Sequence, residues 1–388
     1  MNHNNPLSTS QTIERFVVLC LRSRWDPSAL SAARALVTAN EIEWEALSAS
    51  LIAQGLAPLL YDTLRGSDLL PPSLQALLHG AYVANAARNS VLLQELRGIL
   101  GQLSQEGVAV ILLKGAALLQ ALYGSVALRP MGDLDLLVHR RDVPTVLQVL
   151  SRQGYARRHA EPQAGLTIDA ENEMLLYRDT GADTAIEVHW SLFDSPYYQE
   201  RLSLDWLWET TVPLRLEGLE TRMLGVEAQL LHLCGHLLLH HQGKGLLWLH
   251  DIAEWIVRYR VEISWETLLE KAQTCELVLA LQYALHRVAS EWSAPVPTSV
   301  LTRLDALEPS QGERRIVAWL TKERRPVLLR FWADLTSMPS WSRRLRYALV
   351  NIFPSPAYMQ RHYRISHPLL IPCYYPYRWI KGLWELLS

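Results

Sequence analysis

At Glu106-Gly107 the apolar pattern of this chain changes, and that change limits the architectures open to it. Upstream, apolar residues recur at helical intervals. From Val108 they gather into short runs rich in branched side chains, Val108–Leu113 and Leu134–Val138, as buried strands do. Ala116–Gly124 (AALLQALYG) and Val143–Gly154 (VPTVLQVLSRQG) read as helices that end at glycine. Met174–Arg178 and Thr184–Trp190 flank Asp179–Asp183, a composition suited to a hairpin turn. Strands alternating with helices predict an α+β chain whose mixed α/β core occupies residues 105–215.

The flanks read as helical, over 1–104 and 216–388. Glu14–Cys20 and Pro27–Leu51 carry helical spacing, with a break near Asn40 and Trp44 as a core anchor. Leu56, Leu59, Leu60 and Leu64 form a stripe that begins near Pro58, a residue suited to a first helical turn. Leu74–Leu103 is one long periodic stretch, whose Arg88, Asn89 and Glu95 either face solvent or reach toward a site. Leu202–Trp208 reads as a helix or lid. After Gly225 two apolar helices divide around Gly243–Gly245, and Trp265–Val288 continues in that style.

Half of the chain is apolar, 49%, which excludes global disorder. A net charge of -2 gives no bulk attraction to nucleic acid. Cys20, Cys234, Cys275 and Cys373 lie far apart without a CxxC pair, so reduced and mostly buried thiols are expected. The polar N-terminus lacks a signal-peptide pattern, and no run reaches the ~20 apolar residues of a transmembrane segment. A cytoplasmic location is the resulting expectation. The tail IPCYYPYRWIKGLWELL is either a helix docked on the domain or a weak membrane-surface contact.

Asp133 and Asp135 stand two apart at the entry to an apolar strand, so both carboxylates share one face while Leu134 points the other way. Paired carboxylates repel, and a divalent cation such as Mg²⁺ or Mn²⁺ offsets that repulsion while accepting phosphate oxygens. Glu187, between Ile186 and Val188, supplies a third carboxylate, with His189 on its own side of the strand. Asp133, Asp135 and Glu187 together suit phosphoryl or nucleotidyl transfer, where positioning and charge neutralisation matter most. Lys114-Gly115 offers a mobile positive charge and a small residue before a helix, fitting the phosphate end. Arg129 is either a second phosphate contact or the partner of one of these carboxylates. His232, His236 and His240 share a helix face near His241, His250 and Asp251; they read as polar packing, a substrate or phosphate contact, or a zinc site. Lys244 either meets phosphate or faces water.

The combination of LKG, RxxGDLDLLV and EVHW resembles the uncharacterised nucleotidyltransferases within the DNA polymerase beta-like nucleotidyltransferase superfamily. QGLAPLLYDTL, LHLCGHLLLHHQGKGLLWLHDIAEWI and NIFPSPAYMQRHY extend the likeness over most of the chain. The resemblance implies a mixed sheet carrying catalytic Asp133 and Asp135, with Glu187 in the third acidic position. Lys114-Gly115 stands where the wider superfamily has a Gly-Ser pair, and the Gly115-to-Asp133 separation is long for it.

The expected activity is Mg²⁺-dependent transfer of NMP from an NTP such as ATP to a hydroxyl, releasing pyrophosphate. Lys114, Gly115, Arg129 and His189 would serve the nucleotide, with His236, His240 and Lys244 accessory. The acceptor is a small molecule, a protein side chain or an RNA end. Two rivals stand beside this reading: a silent nucleotide-binding module, and a membrane-surface accessory protein of envelope or polysaccharide assembly.

Overall fold

The computed structural model describes residues 8–387 apart from 41, 159–170, 179–183, 217, 323–326 and 339. Five helices come first: α1 Thr9–Arg22, α2 Ser28–Ala39, α3 Trp44–Ala53, α4 Ala57–Leu64 and the long α5 Pro72–Gln105. Ser8 opens α1 with a capping box that Gln11 completes. Gly55, at φ 68°, turns the chain into α4, where Pro58 occupies the first turn.

Strand β1 Val110–Leu112 leads into α6 Lys114–Leu118, which runs on as a π-turn over Leu119–Tyr123. β2 Leu134–Val138 and α7 Val143–Arg152 follow, then β3 Glu173–Arg178, β4 Thr184–His189 and α8 Leu204–Glu209. β5 Val212–Leu216 and β6 Leu219–Met223 complete one mixed sheet of order β3-β4-β2-β1-β6-β5. The fold is therefore α+β. β2 runs parallel to β4, and β1 parallel to β6; the remaining neighbours are antiparallel. The turn expected at Asp179–Asp183 lies outside the described residues, but its strands pair as a hairpin from Arg178 and Thr184 onward.

The sheet extends past residue 215, because β6 continues it beside β1. Helices then return: α9 Val226–Leu239, α10 Leu246–Arg258, α11 Trp265–Thr274, α12 Val278–Glu291, α13 Thr298–Asp305 and α14 Gln311–Leu320. α15 Val327–Ser337, α16 Trp341–Ile352, α17 Pro356–His362 and α18 Ile371–Leu387 close the chain. One apolar core runs continuously from Ile13 through the sheet to Ile316. Cys20, Cys234 and Cys275 are free and buried, and Cys373 is free and exposed. No helix among the described residues is long and apolar enough to cross a membrane.

The polar residues of α5 do not simply face solvent. Asn89 is fully buried and donates from Nδ2 to the carbonyls of Val126 (2.7 Å) and Arg129 (2.8 Å), while its Oδ1 accepts from the Met131 N–H at 3.3 Å. Asn85 donates to the Ala127 carbonyl at 2.7 Å, and Arg88 reaches those of Met131 and Gly132. Glu95 accepts from Thr184 and Tyr155 and pairs with Arg178, tying α5 to the β3–β4 hairpin. One face of α5 thus holds the loop that delivers Asp133 and Asp135. The need to satisfy this loop's buried carbonyls explains why amides occupy that face. Asn89→Ala is expected to cost about 1–3 kcal/mol, because it leaves the buried Arg129 carbonyl and the half-buried Val126 carbonyl without this donor. Urea unfolding measures this, and a loss under about 0.5 kcal/mol would show that the loop is held by other contacts.

Candidate active site

The parallel register of β2 and β4 sets Asp135 directly beside Glu187, and Leu137 beside His189. Parallel neighbours project to the same side, so alternation along the two strands brings Asp135, Glu187 and His189 together. His189 Nε2 lies 3.0 Å from Asp135 Oδ1 and 3.4 Å from Glu187 Oε2. Its other nitrogen, Nδ1, lies 3.1 Å from Glu173 Oε2, the residue opposite it across the hairpin. One ligand atom from each of Asp135, Glu187 and His189 lies within 4.8 Å of the others, the spacing of a metal-binding group. Two carboxylates and an imidazole are a donor set that fits Mn²⁺ or Mg²⁺; the nitrogen favours Mn²⁺.

Lys114 enters the same cluster from the start of α6. Its Nζ stands 2.7 Å from Asp135 Oδ1 and 3.1 Å from Glu187 Oε2, bridging the two carboxylates. To do so its backbone takes a left-handed conformation, φ 43°, which for a side chain of this size costs about 1–3 kcal/mol. Burial alone would strip the charge from Lys114, yet the flanking Asp135 and Glu187 hold its ammonium well above the ordinary range. Asp135 shows the converse: buried, but driven below the carboxylate range by Lys114 and His189. Burial also opposes a charge on His189, and its hydrogen bond to Asp135 and its close contact with the Glu173 carboxylate outweigh that and hold it well above the ordinary imidazole range. Glu173 is held down at about 2, the His189 contact overriding its burial.

Asp133 is placed differently from Asp135. It is half-buried just before β2 and stands outside the three-residue group. Burial first, then repulsion from Asp135 and Glu187, raise its carboxyl to about 7. Asp133 therefore feels the cluster's charge without one of its close ion pairs.

Arg129 does not pair with the strand carboxylates. It forms a buried bidentate pair with Asp251 of α10, with Nε and Nη2 at 3.0 and 2.9 Å from Oδ2. The Tyr123 hydroxyl donates to the same carboxylate at 2.5 Å and also contacts His250 Nδ1 at 3.1 Å. The pairing of Arg129 with a strand carboxylate is corrected here, because the fully buried Asp251 needs its own compensating cation. Gly115 packs beneath this pair: a Cβ there would lie 2.9 Å from Met131 Cγ and 3.0 Å from Arg129 Nη1.

His236 is buried on α9, and His240, which caps that helix, is half-buried beside His241 and Trp248. His236 stands 4.8 Å from His240 between ring centroids, and its Nε2 lies 3.0 Å from His241 Nε2. His241 stacks on Trp248 at 4.3 Å, and the Arg129 guanidinium lies 5.3 Å from the same ring. Burial lowers His240 to about 4, with Glu173 opposing and Lys114 adding to the shift, so this imidazole senses the carboxylate cluster. The zinc reading of the histidine segment is not met: among the described residues, the metal-spaced group is Asp135, Glu187 and His189. Lys244 is exposed and lines a different cleft of about 650 Å³, with Glu14, Gln54, Tyr283 and Arg287.

Two residues of this arrangement escape a reading by motif. Glu173 has a signal all the same, since the hairpin register carries it opposite His189. Asp251 has none for its role, because its partner Arg129 is remote in the chain and only the packing of α10 brings them together.

A family model described as uncharacterised nucleotidyltransferase matches residues 40–292, more than half of the chain. No curated protein and no solved structure matches it.

Arg129→Met is expected to destabilise the fold by about 3–5 kcal/mol, since it strands a buried Asp251 carboxylate; denaturant unfolding reads this directly. Asp133→Asn should stabilise. The native carboxyl titrates near 7 and the unfolded one in the ordinary range near 3.8, so Asp133 costs stability progressively as pH rises between those values. The gain in melting temperature from Asp133→Asn should therefore be absent at the lower value, grow toward pH 7 and level off above it. A gain that does not vary with pH would show that Asp133 ionises normally.

Proposed function

This chain belongs to the uncharacterised nucleotidyltransferase family, and from that premise we propose that it transfers a nucleoside monophosphate from an NTP to a hydroxyl acceptor. The observation that supports the reading is the register of β2 and β4, which sets Asp135 beside Glu187 within the matched segment. In this reaction the acceptor oxygen bonds to the α-phosphorus, the bond to the leaving pyrophosphate breaks, and the hydroxyl proton is released. Such chemistry depends on positioning and on neutralising negative charge more than on a protein nucleophile.

Asp135 and Glu187, with His189 once its Nε2 has given up its proton, would hold Mg²⁺ or Mn²⁺, and Asp133 lies close enough to add its charge. When bound, the cation supplies charge stabilisation for the phosphates and acidifies the acceptor hydroxyl. Lys114 provides the protein's own positive charge at the triphosphate, and its ion pairs keep that charge permanent. Glu173 fixes the orientation of His189. Arg129, clamped by Asp251, acts through Gly115 and Met131 by shaping the loop that presents Asp133. His236 and His240 form the neutral wall of the site, where burial keeps imidazole uncharged. The acceptor belongs to one of three classes: small molecule, protein side chain or RNA end.

The Lys114 bridge also favours a second reading. An ammonium already spanning Asp135 and Glu187 could let the domain bind nucleotide without transferring it. Asp135→Asn and Glu187→Gln separate the two. For a transferase, each should weaken Mn²⁺ binding about 100-fold or more in calorimetry and abolish transfer of α-labelled NTP to acceptors. Wild-type nucleotide binding that is indifferent to the divalent ion, and unchanged in both variants, would favour the silent module.

A further inference from the structure

The C-terminal helices leave their apolar residues outside. The continuous core stops at Ile316; beyond it, among the described residues, the buried apolar side chains form two small groups, Met338 with Val350, and Met359 with Ile365 and Ile371. On α16, Trp341, Leu345, Leu349 and Ile352 are all exposed, at 81%, 59%, 49% and 42%. Their spacing of four, four and three residues places them on one stripe of the helix. On α18, Tyr377, Ile380 and Trp384 repeat the pattern at 53%, 66% and 69% exposure. The two helices meet where Phe353 packs edge-on against Trp379 at 5.3 Å and the Trp379 indole donates to the Ile352 carbonyl at 2.8 Å. Each stripe thus belongs to one joined unit.

The charge of this unit is one-sided. From Met338 to Ser388 the chain carries seven arginine and lysine residues and one acidic residue, Glu385. Arg346 and Lys381 are exposed on the same helices as the two stripes. Leu369 and Leu370 add exposed apolar surface just before α18.

We infer that the α16–α18 unit is a docking surface for an anionic lipid bilayer, on which both helices lie with their tryptophan-bearing stripes in the headgroup boundary. Exposed tryptophan and leucine on one helix face, with a strong excess of basic charge, is the physical profile of an interfacial helix. Neither helix spans: α18 has 17 residues with Pro376 inside it, and no described helix is apolar enough to cross. A protein groove or a second copy would also cover apolar residues. The near absence of acidic residues favours a surface that is uniformly negative.

Flotation of the full chain with vesicles tests the inference. Vesicles of equal parts phosphatidylcholine and phosphatidylglycerol should bind roughly tenfold or more tightly than phosphatidylcholine alone, with the difference shrinking at high salt. Leu345→Glu with Ile380→Glu should remove binding to both, and Arg346→Glu with Lys381→Glu should remove chiefly the phosphatidylglycerol preference. All four substitutions are at exposed positions, and an unchanged unfolding midpoint will confirm that the fold persists. Wild-type chain that floats with neither vesicle overturns the inference, as does unaltered flotation of the Leu345→Glu, Ile380→Glu variant. A dimer in sedimentation equilibrium that this variant dissociates would overturn it too, by assigning the stripes to self-association.

Discussion

Asp135 and Glu187 lie side by side on adjacent parallel strands, and much of the surrounding structure answers the cost of holding two like charges there. Lys114 accepts a left-handed backbone to put its ammonium between them. His189 brings a second positive charge from the same strand as Glu187 and is itself held by Glu173 across the hairpin. The result is an alternating network of two cations and three carboxylates with little exposure. Removing any one member leaves an uncompensated charge in a region of low polarity, which makes the network a unit instead of a set of separable pairs.

The network would be useless if the strands that carry it could shift, and the helical regions prevent that. α5 holds the loop before β2 through Asn85, Arg88 and Asn89, while Glu95 holds the β3–β4 hairpin. α10 contributes Asp251, which fixes Arg129 within that same loop. The loop preceding Asp133 is therefore gripped by polar contacts from both α5 and α10. The flanking helices thus act as supports of the site. This accounts for polar residues buried on helices that otherwise pack by leucine: each satisfies a loop carbonyl or a charge that cannot reach water.

How much of this was readable from sequence depends on whether the signal was local. β2 was legible at its observed bounds because its five residues are buried on both faces and form one continuous apolar run. The β3–β4 pairing followed from two strand-like segments on either side of a turn composition. The β5–β6 hairpin was not legible: Val212, Pro213, Arg215 and Glu220 all face solvent, so burial does not alternate cleanly and too few apolar residues remain to set a pattern. The convergence of Asp135 and Glu187 was readable as a possibility, but their adjacency rests on a register between strands separated by α7 and the hairpin. Arg129 illustrates the limit. Its spacing to Asp133 suggested the site, and its charge went instead to Asp251, a partner supplied by tertiary packing.

The distribution of charge along the chain bears on how the two ends of the molecule divide their work. The whole chain has a net charge of -2, yet its last helices carry seven basic residues and one acidic one. The remainder is therefore distinctly acidic. On the inferred docking, a body of that sign would be repelled by an anionic surface while the α16–α18 unit would be attracted, so electrostatics would favour an orientation with the aromatic stripes toward the lipid. Apolar contact then acts only at short range, after orientation. The exposed apolar residues and the basic excess of these helices bear on the same inference: the first leave a face that the protein's own core does not use, and together they would suit a partner that is apolar beneath and negative on top.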